Sequence, residues 1–283
     1  MLINTENLFH TITHSNKNKT ILLNNISLKI PSSSITLIVG PTGSGKTLLC
    51  QHFNGLLLPS EGKVIVNGID LNKETSYRIM SKFAYIFQNP SHQLFLKNVY
   101  DDITYGLKDS LFSKSDIKKK VTKIVSLLGI DEEILSSNIY SISDSDKKKI
   151  AIAGALLADK PSIIFDEPLW GFDCNEKTNF TKLILDLKNS SEKNIFIISH
   201  DIDSLIDITD YIVVMKSGES RFFDKKSDFF SSSIGLDFLS QQMHEVRDFL
   251  KKLKLSHPYI NDNVFSMTQA KKQLELLNYR GEF

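Results

Sequence analysis

The run Gly40-Pro41-Thr42-Gly43-Ser44-Gly45-Lys46-Thr47 fits the pattern G-x-x-x-x-G-K-[ST], and it constrains the fold of this chain more than any other segment. The pattern carries meaning only between a strand and a helix. Both flanks fit: the apolar residues 35–39 predict a buried strand, and residues 45–55 predict a helix leading out. Glycines let the backbone turn its N–H groups toward a phosphate, and the helix N-terminus adds a favourable field. In such a loop Lys46 reaches the β and γ phosphates, and the Thr47 hydroxyl ligates magnesium.

Around this loop, short apolar runs alternate with helical stretches, which predicts an α/β architecture. Strands are expected at 2–9, 21–30, 35–39 and 63–66, the early ones forming an antiparallel flap. Buried core strands are expected at 83–87, 162–165, 194–199 and 211–215. Residues 97–158 read as a helical insertion. From about residue 225 the composition shifts. Leu236, Leu239, Met243, Val246, Leu250 and Leu253 recur at steps of three and four and so share one helix face. A second helix is expected at 266–277, capped by Ser266 or Thr268. The expected division is a nucleotide-binding domain over 1–224 and a helical extension over 225–283. Periodicity leaves open whether the extension packs on its own core or pairs with another chain.

Bulk properties exclude several classes. A net charge of +1 gives no electrostatic preference for nucleic acid or an anionic membrane. The lysine runs 118–120 and 147–149 read as solvated helix faces. Two cysteines far apart, Cys50 and Cys174, fit a reducing compartment and not a disulfide scaffold. Residues 1–9 lack the basic flank and apolar stretch of a signal peptide. No segment approaches the roughly 20 apolar residues of a membrane span. If the protein works at a membrane, another chain supplies the span.

Ile163-Ile164-Phe165-Asp166-Glu167 places two acids at a strand end. Asp166 can hold magnesium through its water shell, and Glu167 can orient or deprotonate an attacking water. His200, after another buried run, can sense a γ phosphate; alone, it would read as a capping or surface histidine. A guanine-reading Asn-Lys-x-Asp segment is missing: Asn72-Lys73-Glu74-Thr75 lacks the last aspartate, which argues against a GTPase.

These residues, in this order, resemble the ATP-binding cassette family over residues 2–224. The resemblance implies a P-loop NTPase core with an antiparallel β subdomain and a helical subdomain. It makes Gln88 the Q-loop glutamine, beside the metal and linking nucleotide to a transmembrane partner. Asp173 becomes the D-loop aspartate and His200 the switch histidine. Residues 87–95, 101–106 and 51–57 are similar to segments of energy-coupling factor importer ATPases, and the tail resembles their C-terminal extension. That subfamily implies ATP and magnesium as cofactors and two paired ATPase chains held together by their tails. It also implies a membrane scaffold, a substrate-binding membrane protein and a place on the cytoplasmic face of the membrane. On that resemblance the pairing reading of the tail is favoured.

The pattern breaks at the signature loop, usually Leu-Ser-Gly-Gly-Gln, where this chain has Ile142-Ser143-Asp144-Ser145-Asp146. In the family this loop grips the γ phosphate held by the opposite chain. Here glycines are replaced and two carboxylates face a polyanion, although Ser143 and the aspartates suit a helix cap. Lys147–Lys149 are expected to point along the following helix. Ile12, with His10 and His14 nearby, stands where the family stacks adenine on an aromatic. Leu169 and Trp170 stand where it has small residues, and Trp170 reads as seam or core. The expectation is an asymmetric heterodimer whose partner chain has an intact signature. The isolated chain should bind Mg-ATP but turn it over slowly. The alternatives are a nucleotide-sensing module outside transport and the ATPase of another transporter type.

Overall fold

The computed structural model describes residues 1–15, 18–108, 111–262, 264 and 267–279, leaving aside the side chains of 92, 236–245, 247, 267, 268 and 277–279. Among these residues lie two sheets. The first is antiparallel, ordered β2-β1-β4-β5, from β1 (Ile3–Thr13), β2 (Lys19–Ile30), β4 (Glu61–Val66) and the short β5 (Ile69–Asp70). The second is ordered β10-β9-β3-β8-β7-β6. Its strands β3 (Ile35–Val39), β6 (Phe83–Ile86), β7 (Ser162–Asp166), β8 (Asn194–Ile198) and β9 (Tyr211–Lys216) run parallel. Strand β10 (Glu219–Lys225) closes one edge antiparallel to β9.

The parallel strands read as unbroken apolar runs because both faces of their sheet are covered. Ile35, Leu37 and Val39 face a core shared with helices, whereas Ile38 faces a second core under the antiparallel sheet. Ile163 and Phe165 against Ile164, and Ile195 and Ile197 against Phe196 and Ile198, split the same way. Helix α1 (Lys46–Phe53) lies in the second core through Leu49, Cys50 and Phe53. After the short α2 (Ser76–Met80), the stretch between β6 and β7 is helical: α3 (Val99–Thr104), α4 (Lys114–Leu127) and α5 (Asp144–Leu157). These helices pack onto the first core together with α6 (Cys174–Ser190). The turn α7 (Ile202–Leu205) joins β8 to β9.

After β10 come α8 (Lys226–Ser231), α9 (Ser233–Ser256) and α10 (Met267–Tyr279). The last two share a small core of Leu250, Ile260, Val264 and Ala270, with Val246 and Leu253 packed against it. The side chains of Leu236, Leu239 and Met243, and the cap expected from Ser266 or Thr268, lie outside the described residues.

Two expectations need correction. The lysines 147–149 are not a solvated face. Lys148 is buried, Lys149 Nζ pairs with Glu176 at 2.6 Å, and Lys147 Nζ pairs with Asp144 at 3.0 Å. The start of α5 lies against α6 and the turn after β7, so its cations find acids and carbonyls in place of water. Trp170 is not a core residue: it is 74% exposed.

Candidate nucleotide-binding site

The loop between β3 and α1 owes its shape to glycine at particular positions. Gly40 has φ 144°, and a Cβ there would lie 2.0 Å from the Met215 carbonyl oxygen. Gly45 caps α1 in the left-handed region at φ 98°, where a Cβ would press on Leu23. Lys46 folds back so that its ammonium donates to the carbonyls of Gly40 at 2.8 Å and Pro41 at 3.0 Å. Burial pushes this ammonium below the ordinary lysine range, while Glu167 and Asp166 pull it back up. The amine is thus held against the loop's own carbonyls while the side chain lines the cleft.

The cleft holds about 400 Å³. Thr42, Gly43, Ser44, Gly45, Lys46 and Thr47 form one wall, and Gln88, Asp166, Glu167 and His200 face it. Parallel pairing brings these groups together. Strands β3, β8 and β7 are neighbours and end at one edge, so the loop after each strand opens into the same space, as ligand sites in parallel sheets do. Thr47 Oγ1 donates to Asp166 Oδ2 at 2.9 Å, and the Tyr85 hydroxyl donates to the same oxygen at 3.2 Å. Burial raises the Asp166 pKa above the usual range, against the pull of these two donors and of Lys46.

Glu167 follows with φ 49°, a left-handed conformation uncommon outside glycine. Its N–H donates to the Ile198 carbonyl at 2.9 Å, and its Oε2 accepts from the His200 N–H at 3.3 Å. Oε1 is buried and, among the described residues, has no hydrogen-bond donor; it lies 3.4 Å from His200 Nε2. That same nitrogen is 3.5 Å from Lys46 Nζ. It can accept from the ammonium or donate to the carboxylate, but not both. Burial raises the Glu167 pKa, with His200 and Lys46 pulling the other way. A buried carboxylate with an unused oxygen and a raised pKa is suited to take a proton from water.

Ser143 and Asp173 are not among the residues lining this cleft. They cap α5 and α6. The Ser143 hydroxyl oxygen accepts from the Asp146 N–H at 3.1 Å, and its O–H donates to Asp146 Oδ2 at 2.6 Å. Asp173 and Glu176 form a reciprocal capping box. Sequence reasoning missed Leu22, Leu48 and Gln51 as cleft residues, and Tyr85 as a partner of Asp166. A phenol inside the apolar strand β6 was the one signal for Tyr85. At the proposed adenine position Ile12 is 44% exposed, His10 meets His52 at 3.2 Å, and His14 meets Thr20 at 2.9 Å.

A family model described as ABC transporter matches residues 23–170. The chain belongs to the ABC transporter family. Its curated relatives include the energy-coupling factor transporter ATP-binding protein EcfA2 of Acetivibrio thermocellus, 32% identical over 89% of this chain and 90% of that protein. EcfA2 of Clostridium perfringens is 31% identical over 97% of each chain. Among solved structures, cbiO1 of Clostridium perfringens, described as part of the ABC transporter complex cbiONQ, shares 28% identity. It matches with a TM-score of 0.69 over 86% of this chain and 96% of that one. The ATP-binding cassette MJ0796, solved as a dimer with ADP and Pi, matches at 22% identity and TM-score 0.72 over 79% and 98%. At that identity it supports the fold alone. The family resemblance and the α/β cassette fold read from the sequence both hold. This chain is an ABC ATPase of the energy-coupling factor kind.

Proposed function

We propose that this ABC ATPase powers an energy-coupling factor importer as one half of an ATPase pair, at the cytoplasmic face of a membrane. The observation that carries the reading is the meeting of Lys46, Thr47, Asp166, Glu167 and His200 in one cleft. A pure nucleotide sensor has no need of a buried, underbonded glutamate beside a histidine. In this reading Lys46 and the loop N–H groups bind the β and γ phosphates, Glu167 takes the proton of the attacking water, and His200 holds Glu167 in place. A hydroxyl, a carboxylate and the Gln88 amide are the hard oxygen donors that suit magnesium: Thr47 and Asp166 already share a hydrogen bond, and Gln88 lines the same cleft. Bound there, magnesium would neutralise charge on the phosphates.

Each nucleotide in such a pair meets the P-loop of one chain and the signature loop of the other. Asp173 and Ser143 belong to the face turned to the partner, which fits their positions outside this chain's cleft. The partner ATPase supplies an intact signature to Lys46 and Glu167, and a membrane scaffold with a substrate-binding membrane protein completes the transporter. Among the described residues no helix is long and apolar enough to cross a membrane. Residues 225–283 act as a pairing extension, for which the exposed Phe249, Leu255 and Leu276 are available. The test is co-purification from native membranes followed by ATPase assay. A second ATPase chain and a membrane scaffold are expected, with activity lost on Glu167→Gln. A complex without either chain, or full activity in the variant, would overturn the proposal.

A further inference from the structure

Lys148 sits on the second turn of α5, away from the nucleotide cleft, and is 3% exposed. A buried ammonium needs partners. This one donates to the Trp170 carbonyl at 2.7 Å and to the Glu167 carbonyl at 3.2 Å. The Trp170 ring lies 5.4 Å and the Phe172 ring 6.0 Å from it. Every one of these partners lies in the turn that follows β7 and presents Glu167.

That turn has reason to need support. Glu167 holds a left-handed φ of 49°, which costs a residue with a side chain about 1–3 kcal/mol unless the surroundings enforce it. On one side the Ile198 carbonyl fixes the Glu167 N–H. On the other, among the described residues, the Glu167 carbonyl receives only the Trp170 N–H at 3.4 Å, near the limit of a hydrogen bond, and the Lys148 ammonium. Without the ammonium that long bond alone opposes relaxation of the Glu167 φ, a rotation about N–Cα that moves the carbonyl and the carboxylate together.

We propose that Lys148 is a positioning residue for Glu167: by clasping the Glu167 and Trp170 carbonyls it fixes the peptide plane that aims the carboxylate into the cleft. This rests on the reading of Glu167 as the proton acceptor. It also gives α5 a second task. Its N-terminus carries Ser143–Asp146, two turns or less from the clasp, and Lys149 ties the same helix to Glu176 at the start of α6. A displacement of the Ser143 end is therefore transmitted to the Glu167 turn by a buried cation and not through solvent.

The test compares Lys148→Met, Lys148→Gln and Lys148→Arg in the purified complex, beside wild type and Glu167→Gln. A misaimed base slows chemistry by about tenfold to a hundredfold without touching phosphate binding. Lys148→Met is expected to lower kcat by at least tenfold, with KM for ATP and displacement of a fluorescent ATP analogue within twofold of wild type. Lys148→Arg, which retains cationic donors, should recover most of the loss, and Lys148→Gln, a shorter neutral donor, should fall between. If Lys148→Met fails to fold, the Gln variant decides on the same criteria. A kcat within twofold of wild type, a loss shared equally by kcat and nucleotide binding, or an Arg variant as impaired as Met would overturn the proposal. Wild-type turnover that persists in Glu167→Gln would instead sink the reading of Glu167 itself, and the clasp with it.

Discussion

Changing Asp146 to Gln tests the asymmetry most directly. Asp144 and Asp146 both stand where a γ phosphate from the partner's site is expected to approach, but the structure separates their effects. Asp144 is 82% exposed and neutralised by Lys147 at 3.0 Å. Asp146 has no such cation among the described residues, and its carboxylate accepts the Ser143 O–H hydrogen bond at 2.6 Å. On the proposed pairing it would oppose the nucleotide twice, by its charge and by occupying the hydroxyl that should donate. One like-charge pair about 5 Å apart costs roughly 1–3 kcal/mol for an effective dielectric between 80 and 20. That is about fivefold to a hundredfold in closure on the nucleotide. Asp146→Gln removes the charge and frees Ser143 while keeping the Asp146-position N–H that caps α5, so fold stability should change by less than about 1 kcal/mol. The assay uses a complex whose chain carries Glu167→Gln, silencing its own site and leaving the one built on the partner's P-loop. Residual turnover should rise at least fivefold. Added salt screens exposed charges, so it should raise turnover with Asp146 in place and not after its replacement. Unchanged turnover, or the same salt response in both, would refute the electrostatic argument.

Three further outcomes are expected. Because burial raises the Glu167 pKa, the acid limb of kcat should lie above the ordinary glutamate value of 4.5; a limb at or below 4.5 would count against Glu167 as the base. The same shift means the folded chain binds this proton more readily than the unfolded one, so the stability it contributes is present at low pH and is lost as pH rises from 4.5 through the raised folded pKa. Glu167→Gln should accordingly raise the melting temperature of the nucleotide-free chain at pH 7. Tyr85→Phe removes a donor to a carboxylate and should cost about 1–3 kcal/mol in urea denaturation at pH 7, and less in acid where Asp166 is protonated. Gly40→Ala should abolish nucleotide binding or prevent folding, since its Cβ would overlap the Met215 carbonyl; a stable, binding variant would show that the loop tolerates what its geometry forbids.

The parallel strands were legible because burial on two faces leaves no polar alternation, and the P-loop because its glycines and lysine have few other uses. The edge strand Glu219–Lys225 was not legible: five of its seven residues are polar, since it lies at the edge of its sheet beside β9. Strand β1 runs on to Thr13, past the expected end at 9, because register shifts between Thr5 and Thr11 let it keep pairing where alternation fails. Lys148 was misread for a related reason. Lysine usually marks solvent, and nothing in three consecutive lysines tells which one faces the carbonyls of a turn 20 residues away. The motifs named the groups of the cleft, but only pairing order places Tyr85 on Asp166 and Glu167 between His200 and the Lys148 clasp.

The exposed Trp170 has a practical consequence. It is the single tryptophan in the chain, and it stands between Glu167 and the Asp173 cap of α6. Excited at the red edge of protein absorption, the unlabelled protein emits from this one turn. Its colour and quenching give a spectroscopic window on the spot where nucleotide, the α5 helix and a second chain are expected to meet, with no dye attached and no residue changed.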